Sequence, residues 1–199
     1  NRYMTWGADT TSKHHRDEGS ETNFDNAIGG YLGDSRILVR YLLLNAGRGP
    51  GARLFFGGGL VIPSDNSLTS SPFFNPGSIV EEHRHFSMSE GVYKAIFETQ
   101  FFIKRMKNPV FIGGALTIEE PLRESEYGFQ ASRLIDLSFT AFMRKLKPLN
   151  GSLSGSLMIR NTDKAYWNGK EAPNSESSLL IPGAGILWNM KFATIMLNL

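Results

Sequence analysis

Hydrophobic and polar residues largely alternate along the segment VYKAIFETQFFIKR, residues 92–105. Successive side chains of a β-strand point to opposite faces, so this period of two predicts a strand with one oily face and one polar face. The oily parity carries Tyr93, Phe97, Phe101 and Ile103, and the polar parity carries Lys94, Glu98, Gln100 and Lys104. The environment that the oily face meets, a protein core or a lipid bilayer, determines most of what the sequence indicates about function.

The same alternation recurs along most of the chain, and helical spacing is rare. We predict strands at residues 35–46, 52–62, 91–105, 109–119, 131–145, 152–161, 177–187 and 190–199, with a further strand near Tyr3 to Ala8. The pattern therefore predicts an all-β protein.

The connections between these strands alternate in length. Short links rich in Gly, Pro, Asn and Lys (GRGPG, MKNP and LKPLNG) suit tight hairpins. Long polar segments at residues 63–90, 120–130 and 162–176 separate them. Outer-membrane barrels have short turns at one end and long loops at the other, and strands of ~9–11 residues cross a bilayer. We therefore expect an antiparallel transmembrane up-and-down β-barrel of about 10–12 strands, with about nine in this chain.

In a barrel, the apolar parity would face lipid and the polar parity would face a hydrated lumen. The apolar parity includes Ile37, Val39, Tyr41 and Leu43, then Leu54, Phe56, Leu60 and Ile62, then Ile135, Leu137, Phe139, Ala141 and Met143. The residues predicted to line the lumen are Arg36, Arg40, Arg53, Lys94, Glu98, Gln100, Asp136 and Arg160. A soluble β-sandwich shows the same alternation with the faces reversed. The many glycines inside the strands favour a barrel, because glycine recurs where strands bend.

Charge differs between the two kinds of connection. The short turns carry Arg48, Lys104, Arg105, Lys107, Arg144, Lys145 and Lys147, whereas the long loops carry Glu81, Glu82, Glu119, Glu120, Glu124, Glu126 and Glu176. An acidic rim could bind divalent cations beside anionic lipid heads. The simpler interpretation is that these carboxylates keep exposed loops hydrated.

Composition excludes several other classes of protein. The 199 residues suit one domain, which we place at residues 1–199, and 21 basic against 19 acidic residues argue against a nucleic-acid partner. The absence of cysteine removes thiol chemistry and thiolate metal sites. No apolar run approaches the ~20 residues that a membrane-spanning helix requires.

The segment EEHRHF is the stretch with the most metal-binding character. Glu82, His83 and His85 could contribute ligands, because a His-x-His pair in an extended chain shares one face. No third histidine stands at ligand spacing, and a hydrated loop or a plug folded into the barrel mouth is the favoured interpretation of the segment. The chain has no G-x-S-x-G element, so we predict no catalytic residues, no enzymatic activity and no cofactor.

The segments GDSRILVRYLLLN, ARLFFGGGLVIPS and HFSMSEGVY resemble, in their order, bacterial outer-membrane barrels of the MetA-pathway of phenol degradation and putative-transporter group. In that group a Gly-Asp precedes a strand, and a glycine-rich strand ends at a proline before a long loop. The resemblance implies a barrel that passes small hydrophobic or aromatic compounds, and it identifies no catalytic residues. Because the chain stops at Leu199 without a terminal aromatic residue and shows an odd number of strands, we expect strands to be missing at one or both ends.

Three functions remain open from the sequence. The first is a passive channel or transporter for small solutes in the bacterial outer membrane, where lipid and solute are its partners. The second is a barrel without transport activity that serves as a structural or docking component for another envelope protein. The third is a secreted β-sandwich binding module.

Overall fold

The computed structural model describes residues 32–71, 87–147, 151–190 and 192–198. These residues form eleven β-strands and no helix. No helix long and apolar enough to cross a membrane occurs among them. The strands are β1 (Ser35–Asn45), β2 (Gly51–Ile62), β3 (Lys94–Lys104), β4 (Phe111–Pro121), β5 (Phe129–Gln130), β6 (Leu134–Phe142), β7 (Gly151–Thr162), β8 (Tyr166–Trp167), β9 (Lys170–Glu171), β10 (Ser177–Asn189) and β11 (Thr194–Asn198).

Eight of the strands form one antiparallel sheet in the order β1-β2-β3-β4-β6-β7-β10-β11. Each strand of this sheet pairs with its neighbours in sequence, and β5, β8 and β9 form a separate small sheet. The predicted all-β antiparallel fold is confirmed. Every segment predicted from residue 35 onward corresponds to a strand of the large sheet, with ends that differ by a few residues. The strand predicted near residues 3–8 lies outside the described residues.

A closed barrel is not found in the described part of the chain. There, β1 pairs only with β2, and β11 pairs only with β10, so the sheet has two free edges. The prediction also missed β5, β8 and β9, because strands of two residues are too short to show a period.

Cross-strand register gathers the apolar parities of all eight strands onto one face of the sheet. One row across this face joins Tyr41, Phe56, Thr99, Leu116, Leu137, Ile159 and Leu180, each paired with the next. We call this side the apolar face. Many of its large side chains are exposed, with Val39 at 72%, Phe97 at 58% and Leu180 at 65%. Within the described residues these side chains are therefore not covered by a second layer.

One position departs from simple alternation. The register shifts between Leu42 and Leu44, so that Leu44 pairs with Leu54 of the apolar face and Leu43 lies in the irregularity. Such a bulge inserts one residue into one strand of a pair. Leu44 therefore pairs on the apolar face beside the predicted Leu43, and both side chains are exposed.

The buried apolar residues lie at the end of the sheet where the long connections are. Val61, Val92 and Ile96 are at most 4% exposed there. Beside them, Ala165, Trp167 and Ala172 form a small core in the connection between β7 and β10, and Phe129 from the connection after β4 packs against it. Among the described residues, the central part of the sheet has no comparable core, and the hydrogen-bonded ladders hold its strands together there.

Close approach of two backbones makes one glycine in β2 irreplaceable. A Cβ built on Gly59 would lie 2.1 Å from the carbonyl oxygen of Ile37 on β1, a separation that real Cβ atoms do not show. On Gly155 of β7, by contrast, a Cβ would meet nothing within 4 Å.

We expect Gly59→Ala to lower the free energy of unfolding by about 3 kcal/mol, the upper end for overpacking. Gly155→Ala, the matched control, should be neutral or slightly stabilising because alanine loses less chain entropy than glycine. Denaturant titration followed by circular dichroism measures both. Equal stability of the two variants would contradict the described pairing of β1 with β2.

Candidate functional site

The face opposite the apolar face carries the charged residues of the large sheet except Glu120 near the end of β4, and we call it the polar face. Alternation and register place all eight residues predicted to line a lumen on it. One row runs through Arg40, Gly57, Glu98, Thr117, Asp136 and Arg160, each paired with the next across six strands. The candidate site is this charged row with the residues beside it.

Arg40 and Glu98 form a bidentate ion pair across the intervening strand β2. Arg40 Nε lies 2.5 Å from Glu98 Oε1, and Arg40 Nη2 lies 3.1 Å from Glu98 Oε2. Gln100 adds a hydrogen bond from its Nε2 to Glu98 Oε1 at 2.9 Å. Gly57 stands between the two charges, and a Cβ there would lie 3.2 Å from Glu98 Cβ. The missing side chain therefore leaves the space that the pair occupies.

Asp136 and Arg160 form the second bidentate pair of the row, between the adjacent strands β6 and β7. The Arg160 Nε donates to Asp136 Oδ1 at 2.6 Å, and Nη2 donates to Oδ2 at 2.8 Å. Parallel hydrogen bonds of this kind fix the orientation of both groups as well as their separation.

Glu119 is a member of the site that the sequence analysis assigned elsewhere. It was grouped with the long loops, whereas it lies inside β4 on the polar face and is 3% exposed. Arg36 of β1 binds both of its carboxylate oxygens, with Nη2 at 3.0 Å from Oε2. The signal for this position was the alternation of Ala115, Thr117 and Glu119, which places Glu119 on the polar parity at the end of the predicted strand 109–119.

Two of the predicted residues lie on the polar face but outside these pairs between strands of the sheet. Lys94 Nζ binds Glu90 Oε2 at 2.5 Å, four residues earlier in the chain. Arg53 donates to the carbonyl oxygen of Gly47 in the turn between β1 and β2. Arg53 therefore serves the short turn and is separate from the charged row.

An aromatic row also lies on the polar face, nearer the short turns, and the sequence analysis did not identify it. Phe55, Phe102, Phe111 and Phe142 come from four consecutive strands. Their successive ring centroids are 5.9, 5.7 and 5.7 Å apart. Adjacent Gly113 accommodates the rings, since a Cβ there would lie 3.0 Å from the ring of Phe102. The sequence signal that could have revealed this row was the presence of phenylalanine at positions of the polar parity in neighbouring strands.

The long connections form an ordered cap at one end of the sheet. Trp167 lies 4.9 Å from Phe129 between ring centroids, and Leu68 and Tyr127 pack against the same small core. A backbone hydrogen bond of 2.7 Å from Asn168 N to Gly128 O joins two of the connections. The cap therefore combines residues from three long connections.

Ion pairs reinforce this cap. Arg133 binds the carboxylate of Glu120, with Nη2 at 2.9 Å from Oε1, and this hydrogen bonding raises the pKa of Arg133. Lys164 Nζ lies 2.8 Å from Glu171 Oε1, and that carboxylate raises the pKa of Lys164.

The predicted metal ligands Glu82, His83 and His85 lie outside the described residues. Within the described ranges, no group of three or more His, Asp or Glu side chains could hold a metal ion.

Neither the models of known protein families nor the curated proteins contain a match to this chain.

We expect removal of the charge of Arg36 to lower the free energy of unfolding more than removal of the charge of Glu119. Arg36→Gln leaves a buried carboxylate without its cation and should lower the free energy of unfolding by about 1–3 kcal/mol. Glu119→Gln leaves an exposed guanidinium that water solvates, and it should cost less. Urea unfolding of both variants and of the double variant measures the difference. A larger decrease in the free energy of unfolding for Glu119→Gln than for Arg36→Gln would contradict the view that the buried carboxylate needs its cation more than the arginine needs the carboxylate.

Proposed function

We propose that this protein is a β-barrel of the bacterial outer membrane that passes small solutes through a lumen formed by its polar face. The exposed apolar face carries the proposal. In water, burial of apolar surface is worth roughly 25 cal/mol per Å², so a sheet with this much uncovered aliphatic and aromatic surface requires a covering phase. The acyl chains of a lipid bilayer would cover the whole apolar face.

The dimensions of the sheet support a bilayer as that phase. Six of its eight strands have 11–13 residues. Tilted strands of ~9–11 residues cross the hydrocarbon core. The charged groups lie on the opposite face, where most are paired, which suits a hydrated interior.

Barrel closure is part of the proposal. Unpaired backbone groups cost several kcal/mol each in hydrocarbon, so an open sheet edge is not tolerated against lipid. The free edges of β1 and β11 are therefore expected to pair with one another or with additional strands.

The second candidate is a barrel that docks an envelope protein without transporting a solute. Two observations favour it: the bidentate pairs that extend across the polar face, and the ordered cap at one end. A conductance measurement in planar bilayers separates the two candidates, because a docking barrel with a closed lumen is silent.

The first experiment is electrophoresis in SDS of protein extracted from the membrane fraction, with and without boiling. We expect the unboiled sample to migrate faster, because a closed barrel stays compact in SDS. A single mobility together with solubility in the absence of detergent would favour the secreted sandwich.

A pair of adjacent substitutions in β10 tests the assignment of the faces. Leu180 lies on the apolar face and is 65% exposed, and Ile181 lies on the polar face and is 45% exposed. In vesicles, Leu180→Arg should lower the free energy of unfolding by about 2–4 kcal/mol, the cost of arginine at the bilayer midplane. Ile181→Arg should cost far less.

Urea titration of the protein folded into phosphatidylcholine vesicles measures both variants. In a water-exposed sheet the two substitutions would have similar effects, and that outcome would reject lipid as the phase that covers the apolar face.

A further inference from the structure

We propose that the polar face selects anionic solutes, with carboxylate or phosphate groups as the chemistry that it recognises. This inference rests on the proposed function and adds the class of solute. The sequence shows charges of both signs on this face. In each ion pair one partner is more exposed than the other, and the charge of the more exposed partner is the one that a solute meets.

In every pair between strands of the sheet the carboxylate lies beneath the cation. The side chains of Glu119, Glu98 and Asp136 are 4%, 8% and 24% exposed. Those of their partners Arg36, Arg40 and Arg160 are 58%, 50% and 41% exposed, in the same order. A solute that approaches the polar face therefore contacts guanidinium groups, and the carboxylates act from behind as supports.

The paired guanidiniums retain donors for a ligand. A guanidinium carries five N–H groups in a fixed plane, and a bidentate pair uses two of them. Arg40 and Arg160 both use Nε and Nη2, which leaves the two N–H groups of Nη1 outside the pair. Because the carboxylate fixes each plane, little conformational entropy is lost when an anion binds the remaining donors.

The balance of charge on the polar face also favours anions. Its six basic residues outnumber its three carboxylates, Glu98, Glu119 and Asp136, in the strands of the sheet. The basic residues are Arg36, Arg40, Arg53, Lys94, Lys104 and Arg160. Even with Glu90 added as the partner of Lys94, the face is positively charged. Rings of Arg and Lys are the lining that anion-selective pores use.

The test is the reversal potential of the wild-type protein in a planar bilayer under a KCl gradient. We expect chloride to be several-fold more permeant than potassium with about 0.1 M salt on the dilute side. The preference should weaken toward 1 M KCl, because the screening length falls from about 10 Å to about 3 Å. Inorganic phosphate should reduce the chloride current.

Two double variants test the residues with opposite expected signs. Arg40→Gln with Arg160→Gln removes two exposed cations and should shift the reversal potential toward potassium. Glu98→Gln with Asp136→Gln removes the supporting carboxylates and should strengthen the chloride preference. The electrophoretic shift on boiling verifies that each variant is folded, and the carboxylate variant tests the inference if the arginine variant does not fold.

The conductance results distinguish failure of the anion inference from failure of the channel proposal. Conductance that prefers potassium, or that is unchanged in both double variants, overturns the anion inference and leaves the channel proposal standing. A folded, inserted and silent wild-type protein overturns both. A chloride preference that moves in opposite directions in the two variants supports both.

Discussion

The hydrogen-bond register between neighbouring strands governs the chemistry of both faces of this sheet. Side chains alternate with a period of two, so a slip of one residue in any ladder would move a charged residue among the apolar ones. The observed registers align Arg40, Glu98, Asp136 and Arg160 in one row. The same ladders align Phe56, Leu116 and Leu180 on the opposite side. The ion pairs and the apolar face are therefore two consequences of one constraint.

A sheet with one uncovered face depends on its surroundings for stability. Its best-buried apolar side chains lie near the cap, and the centre has no second layer in the described part of the chain. This arrangement is costly in water and favourable in hydrocarbon, where the apolar side chains meet acyl chains and the charges are kept on the other side. The ion pairs join strands, and in the proposed barrel they would also hold the charged groups away from lipid.

The two ends of the sheet differ in structure and in charge. At one end the long connections pack around Trp167 and are joined by ion pairs such as that of Arg133 with Glu120. At the other end short turns carry exposed cations, among them Arg105, Lys107 and Arg144. Between the ends, the charged row of the polar face lies nearer the cap and the aromatic row nearer the turns. In the proposed barrel, a solute that crosses the lumen would therefore meet these zones in sequence.

The sequence by itself determined the strands of the large sheet, the composition of its faces and the polarity of its ends. These properties follow from local alternation and from turn chemistry, which short segments of chain carry. Only the tertiary structure decided that Arg36 pairs with Glu119, that Leu44 pairs with Leu54 across a bulge, and that four phenylalanines form a row. It also decided which carboxylates lie beneath their arginines. Such features depend on register and depth across strands distant in sequence, and no local pattern specifies either quantity.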